Sequence, residues 1–240
     1  ASKIIFCIIG KMGSGKDSVL RKLKPDIPEI STIVPVTTRE KRPGEKDGIE
    51  YIFVDDNEFD KMVMDKKFME HRKYNVMQNG KKAITQYGYP YPNDKVSIVI
   101  CPYLVYKAIS SNILNEIKNV KIFPIYIKTA SEDEALYRAI NREARKPVPN
   151  FREVARRFVS DLSDFPSESE AKMEFGDSIF INYDLNKTVD EILHYIDEKL
   201  ENIETFRSYG KQYNTVSSTS NTKYNPKSST YNRGGMNNSS

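Results

Sequence analysis

The sequence predicts an α/β fold in which a parallel β-sheet is flanked by helices. Short runs rich in β-branched residues alternate along the chain with stretches of helical periodicity. The first run, Lys3–Ile9, opens directly onto a glycine-rich segment. Residues 96–101 are apolar at nearly every position, as expected for a strand that is covered on both faces. These observations favour a sheet buried between layers of helices.

Each element is predicted from its own pattern. Strands are expected where β-branched residues cluster, and helices where apolar residues recur three or four positions apart. The predicted strands are residues 3–9, 32–36, 51–54, 96–101, 120–127 and 178–182. The predicted helices are residues 18–24, 57–66, 105–117, 132–145, 151–162 and 189–203.

The composition is typical of a soluble globular protein with a hydrophobic core. Of the 240 residues, 38% are hydrophobic and 29% are charged. No stretch approaches the roughly 18 consecutive apolar residues of a membrane span. The apolar start lacks the cleavage site of a signal peptide, so we interpret it as a strand. Cys7 and Cys101 each lie in an apolar run, which favours buried, reduced thiols in a cytoplasmic protein.

The positive charge is concentrated at the end of the chain. The formal net charge is +4, and residues 206–240 carry five basic residues and no acidic residue, which leaves residues 1–205 with a net charge of −1. General affinity for nucleic acid is therefore not expected. Residues 206–240 are dominated by Ser, Asn and Thr, so we predict a single domain over 1–205 followed by a disordered tail.

The strongest local signal is a glycine-rich loop between the first strand and the first helix. Its residues are Gly10, Lys11, Met12, Gly13, Ser14, Gly15, Lys16, Asp17 and Ser18. Glycines let the backbone curl so that successive N–H groups point at phosphate oxygens, and the following helix adds its partial positive charge. Lys16 can then reach the β- and γ-phosphates of a nucleotide. We therefore predict ATP binding by residues 10–18.

The position after Lys16 departs from the strict form of this motif. The motif places Ser or Thr there, whereas this chain has Asp17, followed by Ser18. Nucleoside-monophosphate kinases commonly have the hydroxyl displaced in this way. The ligand of the Mg²⁺ ion that accompanies ATP is left open between Ser18, Asp17 and water.

A second signal is the basic segment TTREKRPGE at residues 37–45. Arg39 and Arg42 are three residues apart and Tyr51 follows nine residues later, so the three side chains could converge on one phosphate. Arginine offers a planar fork of donors that matches phosphate oxygens, and a tyrosine hydroxyl adds a neutral donor. Taken alone, the segment could equally be an exposed basic loop.

The longer string TTRxxRPGExxGxEYxFV closely resembles the guanylate kinase family, and the resemblance extends over residues 1 to about 205. It implies a P-loop kinase fold with a small acceptor-binding β/α subdomain at about residues 34–90 and a helical lid at about residues 131–158. The residues that it assigns to the acceptor phosphate are Arg39, Arg42, Tyr51 and Tyr87.

The resemblance also implies roles for residues outside this string. The residues that it implicates in catalysis are Lys16, Arg39, Arg138, Arg142 and Arg157, and it places Asn182 near the adenine of ATP. Glu70 matches the carboxylate that reads the guanine edge. A carboxylate suits guanine because it accepts from a ring N–H and an exocyclic amine together, a pair that adenine cannot present.

Several positions depart from the family's pattern. They are Pro35, Tyr89, Ile100 and Pro102, the lid segment 142–146 and an additional stretch at about 76–85. Pro35 stands where the family usually has a serine, and Ile100 and Pro102 stand where it has two aspartates. The residues that handle phosphate are therefore retained, whereas those that read the base are fewer.

The sequence thus predicts ATP- and Mg²⁺-dependent phosphoryl transfer to a nucleoside monophosphate, with GMP or dGMP favoured. Ribose 1,5-bisphosphate is an alternative acceptor, because the Gly-Ser-Gly-Lys-Asp-Ser string also resembles the kinases of that compound. A non-catalytic guanylate-kinase-like binding module is a further alternative, although such modules typically lose the lysine that Lys16 represents. The sequence predicts no specific nucleic acid or membrane partner, and it leaves the choice between monomer and dimer open.

Overall fold

The computed structural model describes residues 3–42, 44–78, 81–116 and 120–203. The elements below lie in the unit Ala1–Lys199, except that the last helix extends to Glu201. The predicted disordered tail, residues 206–240, lies outside the described residues. Among the described helices, none combines the length and the apolar character needed to cross a bilayer.

A parallel five-stranded sheet forms the centre of the fold, with the strand order β2-β7-β1-β8-β9. Its strands are β1 Lys3–Ile9, β2 Ser31–Thr32, β7 Val96–Ile100, β8 Val120–Lys128 and β9 Ile179–Ile181. In β1 the residues 4–9 have no exposed surface, which explains why this run is continuously apolar. The prediction of an α/β fold with a parallel sheet flanked by helices is confirmed.

A second sheet of four strands, with the order β4-β3-β6-β5, carries the acceptor motif. Its strands are β3 Val36–Thr37, β4 Ile52–Phe53, β5 Phe68–Gln78 and β6 Lys81–Pro90. Strands β5 and β6 form a long antiparallel hairpin that the sequence did not predict, because charged and polar residues interrupt its alternation. The additional stretch at about 76–85 falls on this hairpin, in part outside the described residues.

The prediction of one strand over residues 32–36 was wrong. The chain forms β2 in the central sheet and then β3 in the second sheet, so the segment crosses between the two. Pro35 lies at the crossing, where it cannot donate a backbone hydrogen bond but its carbonyl accepts from the N–H of Ile52 at 2.9 Å. Pro35 therefore marks the point at which the chain leaves the core.

Seven α-helices are described. They are α1 Lys16–Leu23, α2 Asp56–Met64, α3 Tyr103–Glu116, α4 Glu132–Ala144, α5 Phe151–Asp164, α6 Glu168–Phe175 and α7 Leu185–Glu201. Six of them overlap the predicted helices, with ends that differ by at most four residues. Helix α6 was not predicted, although Ser167 and Glu170 form a capping box at its start.

Side-chain caps fix where the two lid helices begin. Helix α4 starts after Ser131, whose side chain accepts from the N–H of Glu134. Helix α5 starts after Asn150, whose side chain accepts from the N–H of Glu153. Such caps satisfy backbone donors that have no partner within the helix, and each contributes about 1 kcal/mol. The Lys-Pro-Val-Pro segment at residues 146–149 separates the two helices, because proline lacks the N–H that a continuing helix needs.

Buried Gln86 connects the second sheet to helix α2. Its carbonyl accepts from the hydroxyl of Thr37 at 2.9 Å, and its N–H donates to the hydroxyl of Thr38 at 3.0 Å. Its side-chain amide donates to Asp56 at 3.1 Å. These contacts hold β3 against β6 directly before Arg39, and they fix the direction in which the acceptor segment leaves the sheet.

Candidate active site

The glycine-rich loop joins the end of β1 to the start of α1. Gly13 and Gly15 have φ angles of 83° and 88°, in the left-handed region that other residues rarely adopt. A Cβ at Gly13 would overlap the carbonyl oxygen of Ala135, and a Cβ at Gly15 would overlap the amide nitrogen of Asn182. The loop therefore requires glycine at both positions and packs closely against helix α4 and the residue after β9.

Asn182 supports this loop from behind. Its amide nitrogen donates to the carbonyl of Ser14 at 3.0 Å, and its amide oxygen accepts from the hydroxyl of Thr188 at 3.2 Å. Its own N–H donates to the carbonyl of Lys128 at 2.8 Å, and the residue is only 5% exposed. Asn182 thus holds the shape of the loop, and its contact with adenine stays a prediction.

Lys16 lies at the start of α1 under the influence of four charged residues. Burial lowers the pKa of Lys16, and the charges of Arg157 and Arg142 lower it further, whereas those of Asp17 and Asp161 raise it. Its Nζ is 3.9 Å from Oδ2 of Asp17. Arg142 and Arg157, two of the predicted lid arginines, thus act electrostatically on the loop lysine, and their contact with a transferred phosphate stays a prediction.

The lid contributes a carboxylate that the sequence analysis missed. Oδ2 of Asp161, on helix α5, accepts from the N–H of Met12 at 2.6 Å. One backbone donor of the phosphate loop is therefore occupied by an anionic side chain. Asp161 follows Arg157 by four residues and therefore lies on the same face of the helix. This spacing is the sequence signal that could have identified Asp161.

Lys11 and Arg138 are held by carboxylates at the start of helix α4. Lys11 forms an ion pair with Glu132, and its Nζ lies 5.7 Å from the centre of the Phe165 ring. Arg138 forms an ion pair with Glu134 and donates to the carbonyl of Asn182 at 2.9 Å. These contacts direct Arg138 to the residue after β9, and its predicted contact with the transferred phosphate stays a prediction.

Arg39 lies in the loop between β3 and β4, which is named the acceptor loop after its predicted role. A two-pronged ion pair with Glu45 fixes its guanidinium. Its two terminal nitrogens donate to the carboxylate at 2.8 and 2.6 Å. The guanidinium also lies over the rings of Tyr51 and Phe53, at 4.9 and 5.5 Å from their centres. Arg39 is therefore pre-oriented by aromatic contacts and by a carboxylate that a phosphate could join or replace.

Arg42 lies three residues after Arg39 in the same loop. Its backbone N–H donates to Glu45 at 2.8 Å. Partial burial alone would raise the pKa of Glu45, but the hydrogen bonds from Arg39 and Arg42 lower it. The pKa of Glu153 on helix α5 is lowered mainly by its hydrogen bond from Arg156, and the charge of Arg42 adds to this effect. The backbone of Arg42 therefore helps to hold the carboxylate that pairs with Arg39.

Tyr51 and Tyr87 join the acceptor loop to the second sheet. Their ring centres are 5.9 Å apart, and the ring of Tyr74 lies 5.7 Å beyond Tyr87. Burial raises the pKa of Tyr51, and the nearby Tyr87 and Asp17 raise it further, against the charge of Arg39. Tyr51 and Tyr87 thus form an aromatic contact between the loop that carries Arg39 and strand β6.

Glu70 lies on strand β5 opposite Tyr89 of β6, not at the end of a helix. Its carboxylate accepts from Nε of Arg72 at 2.9 Å. Tyr89 is 4% exposed, and burial raises its pKa well above the ordinary value. The hydroxyl of Tyr89 is thus part of the packed interior. Arg72, like Asp161, is a charged residue that the sequence analysis did not single out.

Comparisons with known proteins found similar sequences and a similar fold. A family model described as guanylate kinase matches residues 2–199. The guanylate kinase of Thermobifida fusca is 46% identical over 68 residues, which are 28% of this chain and 35% of that protein. The guanylate kinase of Legionella pneumophila (strain Lens) is 41% identical over 69 residues, 29% of this chain and 33% of that protein. The matched segments thus span about a third of each relative.

A crystal structure of guanylate kinase from Anaplasma phagocytophilum has a similar fold. The similarity covers 83% of this chain and 87% of that chain, with a TM-score of 0.54 and 23% sequence identity. The low identity means that this likeness concerns the fold alone.

We predict that Gly13→Ala destabilises the loop far more than Gly44→Ala. Both glycines have positive φ, 83° and 88°, so each substitution costs about 1–2 kcal/mol of conformational strain. Only Gly13 also meets a backbone carbonyl, whereas no atom lies within 4 Å of a Cβ at Gly44. The overlap should add roughly 1–3 kcal/mol to the loss. Urea unfolding of both variants measures this difference, and equal losses would contradict the packing described above.

We predict that Asp161→Asn strengthens ATP binding about threefold to tenfold, or roughly 0.7–1.4 kcal/mol. Asparagine can still accept from the N–H of Met12, but it removes a negative charge beside the predicted phosphate site. Asp164→Asn is the matched control, since Asp164 lies on the same helix and accepts from the hydroxyl of Ser160 at 3.0 Å. Calorimetric titration with ATP provides the dissociation constants. Weaker binding in Asp161→Asn would show that the carboxylate assists nucleotide binding.

Proposed function

Because its match covers residues 2–199, this chain belongs to the guanylate kinase family, and we propose that it transfers a phosphoryl group from ATP to GMP or dGMP. The observation that carries this proposal is the pre-oriented guanidinium of Arg39, held by Glu45 and by the rings of Tyr51 and Phe53, in a chain that also has a glycine-rich loop leading to Lys16. Burial lowers the pKa of Lys16, and the charges of Arg157 and Arg142 lower it further. Two phosphorylated ligands could therefore be neutralised together.

In the proposed reaction, the loop of residues 10–18 binds the phosphates of ATP through backbone N–H groups and Lys16. Arg39, Arg42 and Tyr51 hold the phosphate of the acceptor. The nucleophile is an oxygen of that phosphate, which is already ionised, so no general base is required. The chain contributes positioning and charge stabilisation, with Arg142 and Arg157 supplied by the lid.

Mg²⁺ fits the donors at the start of α1. Asp17 and Ser18 are exposed and offer a carboxylate and a hydroxyl oxygen, the oxygen ligands that Mg²⁺ prefers. Within the described residues there is no group of three or more His, Cys, Asp or Glu side chains suited to hold a metal ion. We propose that Asp17 or Ser18 would contact the ion directly or through water. The bound ion would supply positive charge that offsets the negative charge of the ATP phosphates.

The proposed preference for guanine rests on Glu70. The charge on its carboxylate is paired with Arg72 at 2.9 Å, and an ionised carboxylate accepts hydrogen bonds without donating them. Guanine presents two adjacent donors to such a group, a ring N–H and an exocyclic amine, whereas adenine presents one exocyclic amine beside a ring-nitrogen acceptor. Base selection would then follow from complementary hydrogen bonding.

Ribose 1,5-bisphosphate remains the second candidate acceptor. The specific observation in its favour is the apolar character of Pro35, Ile100 and Pro102, which offer no side-chain hydrogen bonds to a base. A panel of GMP, dGMP, dTMP, AMP and ribose 1,5-bisphosphate, each with ATP and Mg²⁺, separates the two candidates. We expect the highest kcat/KM with GMP or dGMP. Failure of all five acceptors would instead favour a binding module without kinase activity.

We predict that Lys16→Ala and Arg39→Ala each lower kcat/KM by roughly 10³-fold or more, because each removes a cation that stabilises charge on one of the two phosphates. Lys22→Ala and Lys41→Ala are matched controls, since both lysines are exposed and lie close in sequence to the tested residues. The measurement is ADP formation in a coupled assay, with thermal melting to verify folding. Near-normal turnover in either test variant would reject the proposed assignment.

A further inference from the structure

Arg72 occupies a central position at the base end of the acceptor site. Its Nε donates to Oε1 of Glu70 at 2.9 Å, and one of its terminal nitrogens donates to the carbonyl of Leu104 at 2.9 Å. The side chains of Arg72 and Glu70 are 28% and 16% exposed, so the pair is largely shielded from water. A partly buried ion pair with a backbone anchor restricts the carboxylate more strongly than an exposed pair would.

The backbone anchor connects the two sheets. Leu104 lies in the first turn of α3, directly after β7 of the central sheet, whereas Arg72 lies on β5 of the second sheet. By donating to both Glu70 and Leu104, Arg72 fixes the carboxylate relative to the core. The adjacent end of β7 carries Ile100 and Pro102, whose side chains offer no hydrogen bonds. Arg72 is therefore a polar group that holds Glu70 at this end of the site.

Arg72 also acts on the aromatic side chains that lead towards the acceptor phosphate. Burial raises the pKa of Tyr74, and the charge of Arg72 opposes this rise, so the two side chains are close. Glu70, Arg72 and Tyr74 alternate along β5 and therefore point to the same face. The rings of Tyr74, Tyr87 and Tyr51 then follow one another at 5.7 and 5.9 Å. This row links Arg72 to the loop that carries Arg39.

We infer that Arg72 is a positioning residue that orients Glu70 towards the acceptor base and thereby sets base selectivity. The inference rests on the proposed function. Arg72 holds one oxygen of the carboxylate, and the carboxylate group faces the base as an acceptor of hydrogen bonds only. A base with N–H donors at this edge is then favoured over one with a ring-nitrogen acceptor, since two facing acceptors leave a desolvated group unpaired.

The experiment compares wild type with Arg72→Ala, Arg72→Lys, Glu70→Gln and the double variant Glu70→Gln/Arg72→Ala. For each, kcat and KM are measured for GMP and AMP at saturating ATP, and KM for ATP at saturating GMP. We expect Arg72→Ala to raise KM for GMP about tenfold and to reduce the preference for GMP over AMP. The value of kcat and the KM for ATP should stay within about twofold of wild type.

Two comparisons separate positioning from a general structural role. In the Glu70→Gln background, Arg72→Ala should change KM for GMP by less than about twofold, because its effect acts through Glu70. Arg72→Lys keeps a cation but cannot bridge Glu70 and Leu104 with a planar fork, so KM should rise about threefold. This variant also tests the inference if Arg72→Ala fails to fold.

Lys107→Ala is the matched control. Lys107 also pairs with a carboxylate at 2.9 Å, that of Glu174, and lies on helix α3, so its loss tests removal of an ion pair away from Glu70. We expect wild-type values of KM for both substrates.

The possible failures are distinguishable. If wild type does not phosphorylate GMP, the proposed function fails and this inference fails with it. If wild type is active but Arg72→Ala and Arg72→Lys keep the wild-type KM for GMP, only the inference is overturned. Equal effects of Arg72→Ala with and without Glu70 would likewise overturn it.

Discussion

Repulsion between cations is the physical constraint on which the candidate site depends. The Lys16 side chain is 20% exposed, and its partial burial and the charges of Arg157 and Arg142 lower its pKa. Like charges brought towards one another are unfavourable unless anions lie among them. Asp17 and Asp161 supply negative charge at the loop. The unliganded site therefore contains carboxylates at positions where the proposed reaction would bring phosphates.

The same principle applies on the acceptor side. Arg39 donates two hydrogen bonds to Glu45 and lies over the ring of Tyr51. These contacts hold its guanidinium in one orientation before a ligand binds. Such preorganisation reduces the reorganisation that charge stabilisation would otherwise require. It has a cost, because an incoming phosphate must share the arginine with Glu45. The ion pair between Arg39 and Glu45 thus stabilises the site before a ligand binds. It also sets the binding free energy that a ligand must supply to compete with Glu45 for the arginine.

The sequence predicted the parts of the molecule that depend on short-range patterns. Strand β1 was predicted with its observed bounds, and the glycine-rich loop lies where the motif placed it, because both depend on consecutive residues. The β5–β6 hairpin was missed because its polar residues interrupt the alternation of apolar and polar positions that identifies a strand. Asp161 was missed because its partner Met12 is 149 residues away, and no local pattern records such a contact. The assignment of the chain to its family, by contrast, was confirmed by the match over residues 2–199.

The phosphate end and the base end of the acceptor site are therefore specified in different ways. Lys16 and Arg39 belong to compact motifs, and each has a carboxylate partner within six residues, Asp17 or Glu45. The orientation of Glu70 depends instead on Arg72 and its anchor at Leu104, 32 residues further along the chain. A substitution on β5 or at the start of α3 can thus alter the base end while the ion pairs around the phosphates stay in place. In the proposed reaction, the choice of acceptor can consequently change without loss of the groups that act on the phosphates.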